Sequence, residues 1–447
     1  MRKSLNTIGS IYILLLPFQL LPIFRGFKSL FSSSASIGNC FFVMLIGLFI
    51  YVANERGVVT FEHALMKSGV KLMIALVMLS VLTSVVLYKV LGQLYGENTL
   101  SASFAQNIYT LVTAAALFFN QKLFLCMTKE KIKKLLDILC VFEIILAGVQ
   151  ILIVTGAPII GNLYDSFDLF GVLRDSSYIT RINRLCLTSS EPSGMGNIIN
   201  VLLLPYCLSQ IICSDKKKKY ITFSIILTVA CFFSVSSTVY VAVLVNYVVF
   251  TFFAARGKTR IILLVVLLLV SVLFGSVGIG FLSNTGIGQQ INYVLIEKTT
   301  SNENMSTTYR YSTVINDLNC FLSFPITGVG NGNQGFMYPT TMASDGIGDG
   351  MRTNYQTQIA LSGQWGVLTG GAFVPAFISG YGVVGIILLL AYLHKGNRHM
   401  KQHQTEMGAF YPMYYIGGIT FLVMTTVSGG IDGNFIALFL CSLPYMC

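Results

Sequence analysis

Apolar runs long enough to cross a bilayer recur along the whole chain, near 9–24, 40–53, 70–91, 101–127, 135–156 and 194–213. They continue near 220–234, 238–255, 260–282, 371–393, 409–427 and 431–446. A spanning helix needs about 20 apolar residues, so the pattern predicts an all-α polytopic membrane protein of about twelve transmembrane helices. The run at 40–53 is short. The small polar stretch Ser234-Val235-Ser236-Ser237-Thr238 either divides two spans or lies within one long helix. Gly9 to Phe24 contains Pro17 and Pro22, and no small-residue cleavage site follows it. It therefore reads as an uncleaved first helix rather than a signal peptide.

Charge supplies the orientation, because segments rich in Lys and Arg stay in the cytoplasm. Numbering odd spans as inward-to-outward leaves nine cations outside, namely Arg25, Lys28, Lys89, Arg174, Arg181, Arg184, Lys298, Arg310 and Arg352, and the remaining 20 of 29 inside. Acidic residues divide seven inside and eleven outside, so the inner side carries +13 and the outer −2. Both termini are expected in the cytoplasm. The net charge of +11 is thus a topology signal, not a nucleic-acid patch. Composition agrees: 54% apolar residues, 11% charged and a mean hydropathy of +0.73 fall far from the roughly 25% charge of soluble domains. The same figures exclude a disordered chain and a disulfide-rich secreted module. The ten cysteines are scattered, mostly in spans. Only Cys186 and Cys320 fall in long outer loops, as two buried thiols or a bridged pair. No CxxC or His/Cys spacing implies a metal, and no cofactor is expected.

Chain 1–447 reads as one integral membrane domain with two long outer loops, 157–193 and 283–370. Connections beyond about 15 residues are usually functional or disordered, and these carry apolar and aromatic residues spaced to pack. In the second, Tyr311, Val314, Ile315, Leu318, Phe321 and Leu322 recur at helical spacing, with Arg310, Asn316, Asp317 and Asn319 between them. This predicts an amphipathic helix lying on the bilayer and ended by Pro325. The run Gly328-Val329-Gly330-Asn331-Gly332-Asn333 follows, in which backbone N–H groups can approach an anion, though a surface turn has the same composition.

The first loop closes with Arg181-Ile-Asn-Arg184-Leu-Cys-Leu-Thr-Ser-Ser-Glu191-Pro192-Ser193 and runs directly into the sixth span. Ser190 or Glu191 suits a helix N-cap and Pro192 its first turn, which aims a positive helix end at the outer interface. Arg181 and Arg184 face the same place, and a phosphate is the natural occupant. The alternative is that the arginines reach lipid headgroups and Glu191 only caps.

The order of Arg184 and Pro192, the polar kink at Ser234 to Thr238, Arg310, the segment Phe324-Pro-Ile-Thr-Gly-Val-Gly-Asn-Gly-Asn333 and Asn354-Tyr-Gln resembles the O-antigen polymerase (Wzy) and O-antigen ligase superfamily over about 157–393. The resemblance implies a GT-C-like membrane glycosyltransferase acting on undecaprenyl-pyrophosphate-linked glycans at the outer face of the bacterial cytoplasmic membrane, without a metal. It implies pyrophosphate binding by Arg184 and Arg310, with Arg181, Arg174, Arg352, Ser193, Gly328, Gly330 and Asn354 as further substrate contacts. Glu191 is the candidate base. A chain-length regulator and a flippase are the partners it implies. Ligase members carry a His where this chain has Thr353, and His63, His394, His399 and His403 all fall on the expected inner side. A polymerase, for O-antigen or capsule, is therefore expected over a ligase.

A flippase of lipid-linked oligosaccharides is the rival from another class. Glu143 is the one acidic residue well inside a span and suits a coupling site or a bond to a neighbouring helix. No repeat relates the two halves, and the long loop in the second half alone favours an enzyme with a lid. Trp365 reads as an interfacial anchor. Tyr164, Tyr178, Tyr309, Tyr338 and Tyr355 suit either sugar stacking or an interfacial belt.

Overall fold

The computed structural model describes residues 2–18, 36–54, 64–95, 99–167, 173, 175–189, 191–273, 305–337, 372–426 and 435–447. In chain order the helices are α1 (Arg2–Leu15), α2 (Ser36–Asn54), α3 (Ala64–Tyr95), α4 (Thr99–Cys126), α5 (Lys129–Val154), α6 (Pro158–Phe167), α7 (Ser176–Ile182) and α8 (Pro192–Asn197). A π-helical turn, Ile198–Leu203, joins α8 to α9 (Leu204–Cys213). Then come α10 (Lys217–Phe233), α11 (Ser237–Ala254), α12 (Gly257–Leu273), α13 (Met305–Ser323), α14 (Phe373–Gln402), α15 (Gln404–Met407), α16 (Phe410–Met424) and α17 (Phe435–Cys441). No strand occurs among the described residues.

Six described segments are long and apolar enough to cross a membrane: Ala64–Tyr88, Gln106–Cys126, Lys129–Val154, Gly194–Cys213, Ser237–Ala254 and Phe373–Gln402. Their outer surface keeps large apolar side chains exposed, among them Val86, Ile145 and Ile387. In water such a surface would drive aggregation; in hydrocarbon it costs nothing. These helices are those of an integral membrane protein. Expected spans 40–53 and 409–427 correspond to the shorter apolar helices Cys40–Asn54 and Phe410–Met424.

Fully buried Tyr12, Phe119, Met44 and Phe439 centre the core, with Tyr12 edge-on to Phe119 at 5.1 Å. Gly47 lets α2 close on that stack, since a Cβ there would lie 2.3 Å from the Phe119 ring. At the lysine-rich end, Asp137 of α5 accepts from Lys219 at 2.6 Å and from Tyr206 at 2.9 Å, which ties α5, α9 and α10 together. Lys122, counted on the inner side at the end of the run 101–127, is buried in α4, with its ammonium 4.8 Å from the Tyr51 ring centre. The polar stretch 234–238 divides two helices: α10 ends at Phe233, α11 starts at Ser237, and Val235 between them has φ 47°.

The amphipathic helix of the second loop forms as expected and ends before Pro325, but its polar stripe is turned to protein and not to water. Thr313, Asn316, Asp317 and Cys320 are buried, while Leu318 and Leu322 are exposed. The polar stripe faces protein and part of the apolar stripe faces outward. In a protein surrounded by lipid, amphipathicity does not say which side is the core.

α14 breaks at Gly382 (φ 58°, ψ −161°), and the glycine-rich loop fills the break. Val329 N–H donates to Ser379 O and Gly330 N–H to Gly380 O. In return Val383 and Val384 N–H donate to Pro325 and Ile326 O, all at 2.8–3.1 Å. The backbone groups that a continuous helix would pair within itself are paired across two segments, so none is orphaned in the membrane.

Candidate functional site

The segment before α8 does not cross the surface; it folds inward. Leu185, Cys186, Leu187, Thr188 and Ser189 have no exposed area. Burying backbone that is neither helix nor strand demands partners, and α5 supplies them from two positions seven residues apart on one face. Gln150 Oε1 accepts from Cys186 N–H at 3.1 Å and Leu187 N–H at 2.9 Å, and its amide donates to Leu187 O at 3.2 Å and to Tyr164 Oη at 3.1 Å. Glu143 Oε1 accepts from Thr188 Oγ1 at 2.7 Å. From the other side Leu185 N–H donates to Phe233 O at the α10–α11 break.

Among the described residues three non-glycine positions have positive φ: Asn183 (51°), Leu187 (51°) and Val235 (47°). All three frame Arg184. Such conformations cost roughly 1–3 kcal/mol each and persist where the surroundings over-determine them, most often at functional sites. Val235, β-branched, is the least tolerant.

Arg184 is half-buried at the mouth of this segment, and its charge reaches the Tyr240 phenol of α11. Tyr240 is itself fixed by donating to Phe232 O at 2.8 Å. Arg181 is exposed, with its guanidinium 5.4 Å from the centre of the Tyr178 ring. Glu191 occupies the N-cap position and Pro192 the first helical position, as expected, but the Glu191 side chain makes no capping bond. Its carbonyl takes the Gly194 and Met195 N–H groups instead. With Pro192 lacking an N–H, the helix end offers an anion few donors, and the positive charge of the site rests on the arginines.

Below this mouth the π turn gives the span an irregular centre. Pro205 supplies the cause, since its ring cannot accept the normal packing against the carbonyl four residues earlier, that of Val201. Gly417 of α16 closes on that carbonyl, where a Cβ would be 2.6 Å away. Asn246 bridges the same region, donating to Asn200 O at 3.0 Å and accepting from Thr420 at 2.9 Å.

The glycine run of the second loop is placed differently from the sequence expectation. Gly328 N–H donates to Phe324 O, Gly330 N–H to Gly380 O, Asn331 N–H to Ser80 Oγ and Gly332 N–H to Gln334 Oε1. These donors serve the fold, so the backbone of Gly328 and Gly330 does not present them to an anion. The loop docks on a polar stripe of α3 and α4 that the sequence reading treated as merely apolar. Asn333 donates to Ser84, Ser84 to Ser103, and Asn107 to Ser80. Beside it a cavity of about 90 Å³ lies between α3, α4 and α14, with Thr110, Thr113, Asn331 and Tyr381 in its wall.

Asp317 of α13 is fully buried in the same region. Ser379 Oγ donates to its Oδ1 at 3.2 Å, and Oδ2 has no partner among the described residues. Burial pushes its carboxyl up to about 8. Position 310 lies two helical turns before it on the same face. The side chains of Arg310 and Ser193 lie outside the described residues, as do Arg174, Arg352, Asn354 and Trp365 entirely. Cys186 and Cys320 are separate buried thiols, not a bridge.

An integral membrane protein with a half-buried arginine on a strained inward loop, and a glycine loop laid into a broken helix, is the class that these features define. Residues 222–350 match the family model described as O-antigen ligase (Wzy_C), consistent with the O-antigen polymerase and ligase superfamily, whose members are glycosyltransferase-like membrane enzymes. The matched stretch runs from α10 through α13 and the glycine loop, and holds Arg310 but not Arg184. No curated protein matches the chain.

Proposed function

We propose that the protein is a polymerase of undecaprenyl-pyrophosphate-linked oligosaccharide repeat units, of O-antigen or capsule type, acting at the outer face of the bacterial cytoplasmic membrane. The observation that carries this reading is Arg184, half-buried on a segment whose backbone is held by Gln150 and Glu143. The reaction displaces undecaprenyl pyrophosphate from the anomeric carbon of the growing chain by a sugar hydroxyl of the next unit. Negative charge grows on the leaving pyrophosphate. A fixed guanidinium in a poorly hydrated site stabilises that charge more in the transition state than in the ground state, with no reorganisation at the moment of reaction. Arg310 is the second cation of the proposal. Glu191, exposed and not used as a cap, is the proposed base for the acceptor hydroxyl, with no metal required.

Ligation of finished glycan to a lipid acceptor is the second reading, favoured by the description of the matched family. Thr353, where ligases carry a His, weighs against it. Glu143 supports the flippase reading less than its place in a span suggested, since it accepts from Thr188 and so has a positioning task. Glycan length on a gel distinguishes all three in cells lacking the protein. A single repeat unit on its acceptor indicates lost polymerase, full-length lipid-linked glycan without transfer indicates lost ligase, and no external repeat unit indicates lost transport.

A further inference from the structure

At the lysine-rich end, the junction of α14 and α15 meets a turn some forty residues further along the chain. His403 closes α14, Glu406 lies in the short helix α15, and Cys447 follows the turn Leu443–Met446. A nitrogen, a carboxylate oxygen and a sulfur from these three residues lie within 4.8 Å of one another, and His403 Nδ1 is 3.1 Å from Glu406 Oε2. His399, one helical turn before His403, stacks its ring 4.5 Å from the His403 ring. We propose that His403, Glu406 and Cys447 form a binding site for a zinc-class divalent cation.

The donor set decides the class. Thiolate, imidazole and carboxylate together suit Zn²⁺ and its substitute Co²⁺, whereas Ca²⁺ and Mg²⁺ take oxygen alone. Tetrahedral bonds of about 2.0–2.3 Å place neighbouring ligand atoms roughly 3.3–3.8 Å apart. The side chains that must close from 4.8 Å to that range are half-exposed or exposed. The scaffold is held already. Lys129 donates to Glu406 O at 2.6 Å and fixes α15, while Tyr392 and Tyr445 share a hydroxyl contact of 2.6 Å that fixes the last turn to α14. Lys129 Nζ also stands 3.9 Å from Cys447 Sγ. Binding displaces the Cys447 thiol proton, so affinity falls as pH falls. The ion would staple the turn Leu443–Met446 to the end of α14, and the proposal does not depend on the reaction assigned above.

The test is Co²⁺ and Zn²⁺ binding to the purified full-length chain in detergent. One Co²⁺ per chain with a thiolate-to-cobalt charge-transfer band, displaced by Zn²⁺, is expected. His403→Ala and Cys447→Ser should each weaken binding at least tenfold, and Cys213→Ser, an exposed thiol elsewhere, should leave it unchanged. Zn²⁺ should also slow alkylation of Cys447 in peptide mass spectra. Absence of the band in the folded wild type, or a band that survives Cys447→Ser, would overturn the site.

Discussion

The amide of Val329 donates to the carbonyl of Ser379 at 2.9 Å, the acceptor that an unbroken helix would give to Val383. This exchange makes the glycine loop part of the membrane helix it crosses. Gly328 and Gly382 are required for it: a Cβ on Gly328 would lie 2.4 Å from Ser379 O, and one on Gly382 would lie 2.5 Å from Gly328 N. Both also hold positive φ. Gly328→Ala and Gly382→Ala should each destabilise the protein by about 1–3 kcal/mol, read as a lower unfolding temperature in detergent. Gly418→Ala, with open space around it, should not. Equal melting of all three would show that the crossing is not structurally required.

Gln150 and Glu143 hold the inward segment, but not equally. Replacing Gln150 by Leu strands two N–H groups and a carbonyl in the interior at about 1–3 kcal/mol each, so loss of activity should come with loss of stability. Glu143→Gln keeps an acceptor for Thr188 and should change both chain length and melting little. Glycan ladders and thermal shifts measured on the same variants check both.

Arg181 and Arg184 should behave differently, although the sequence places them one turn apart. Arg184→Ala should lower polymer formation by about 10²- to 10³-fold, and Arg184→Lys nearly as much, since a point charge does not replace a fork of donors. Arg181→Ala should cost far less, because that guanidinium is exposed and packs over Tyr178. Matching losses at both positions would move the anion site outward to Arg181.

Asp317 predicts a pH dependence of stability. Its carboxyl is raised by burial from 3.8 to about 8 in the folded chain. The folded state therefore holds a proton that the unfolded state releases, and stability from the neutral form is full below the unfolded value and lost as pH rises through about 8. Asp317→Asn should flatten this slope, leaving the variant more stable than wild type at pH 8.5 and little different near pH 5. Parallel melting curves for the two proteins across that range would contradict the assignment.

Much of this was legible in the chain itself. Apolar runs and lysine placement gave the membrane class, most helix positions and the break near Val235, because a helix in hydrocarbon satisfies its own backbone and its composition shows directly. Pro192 at the start of α8 and the end of α13 before Pro325 were legible for the same local reasons. Pairings between distant segments were not. Nothing adjacent to Gln150 announces that it carries Cys186 and Leu187, and no spacing joins Cys447 to His403. The inward polar face of α13 could not be read either, because apolar residues face both a protein core and lipid. The sequence alone determined what must lie in the membrane and where charge must stay out of it. Tertiary structure decided which buried polar groups meet, and so where an arginine is held, because that depends on which carbonyls and amides a broken helix leaves to be paired.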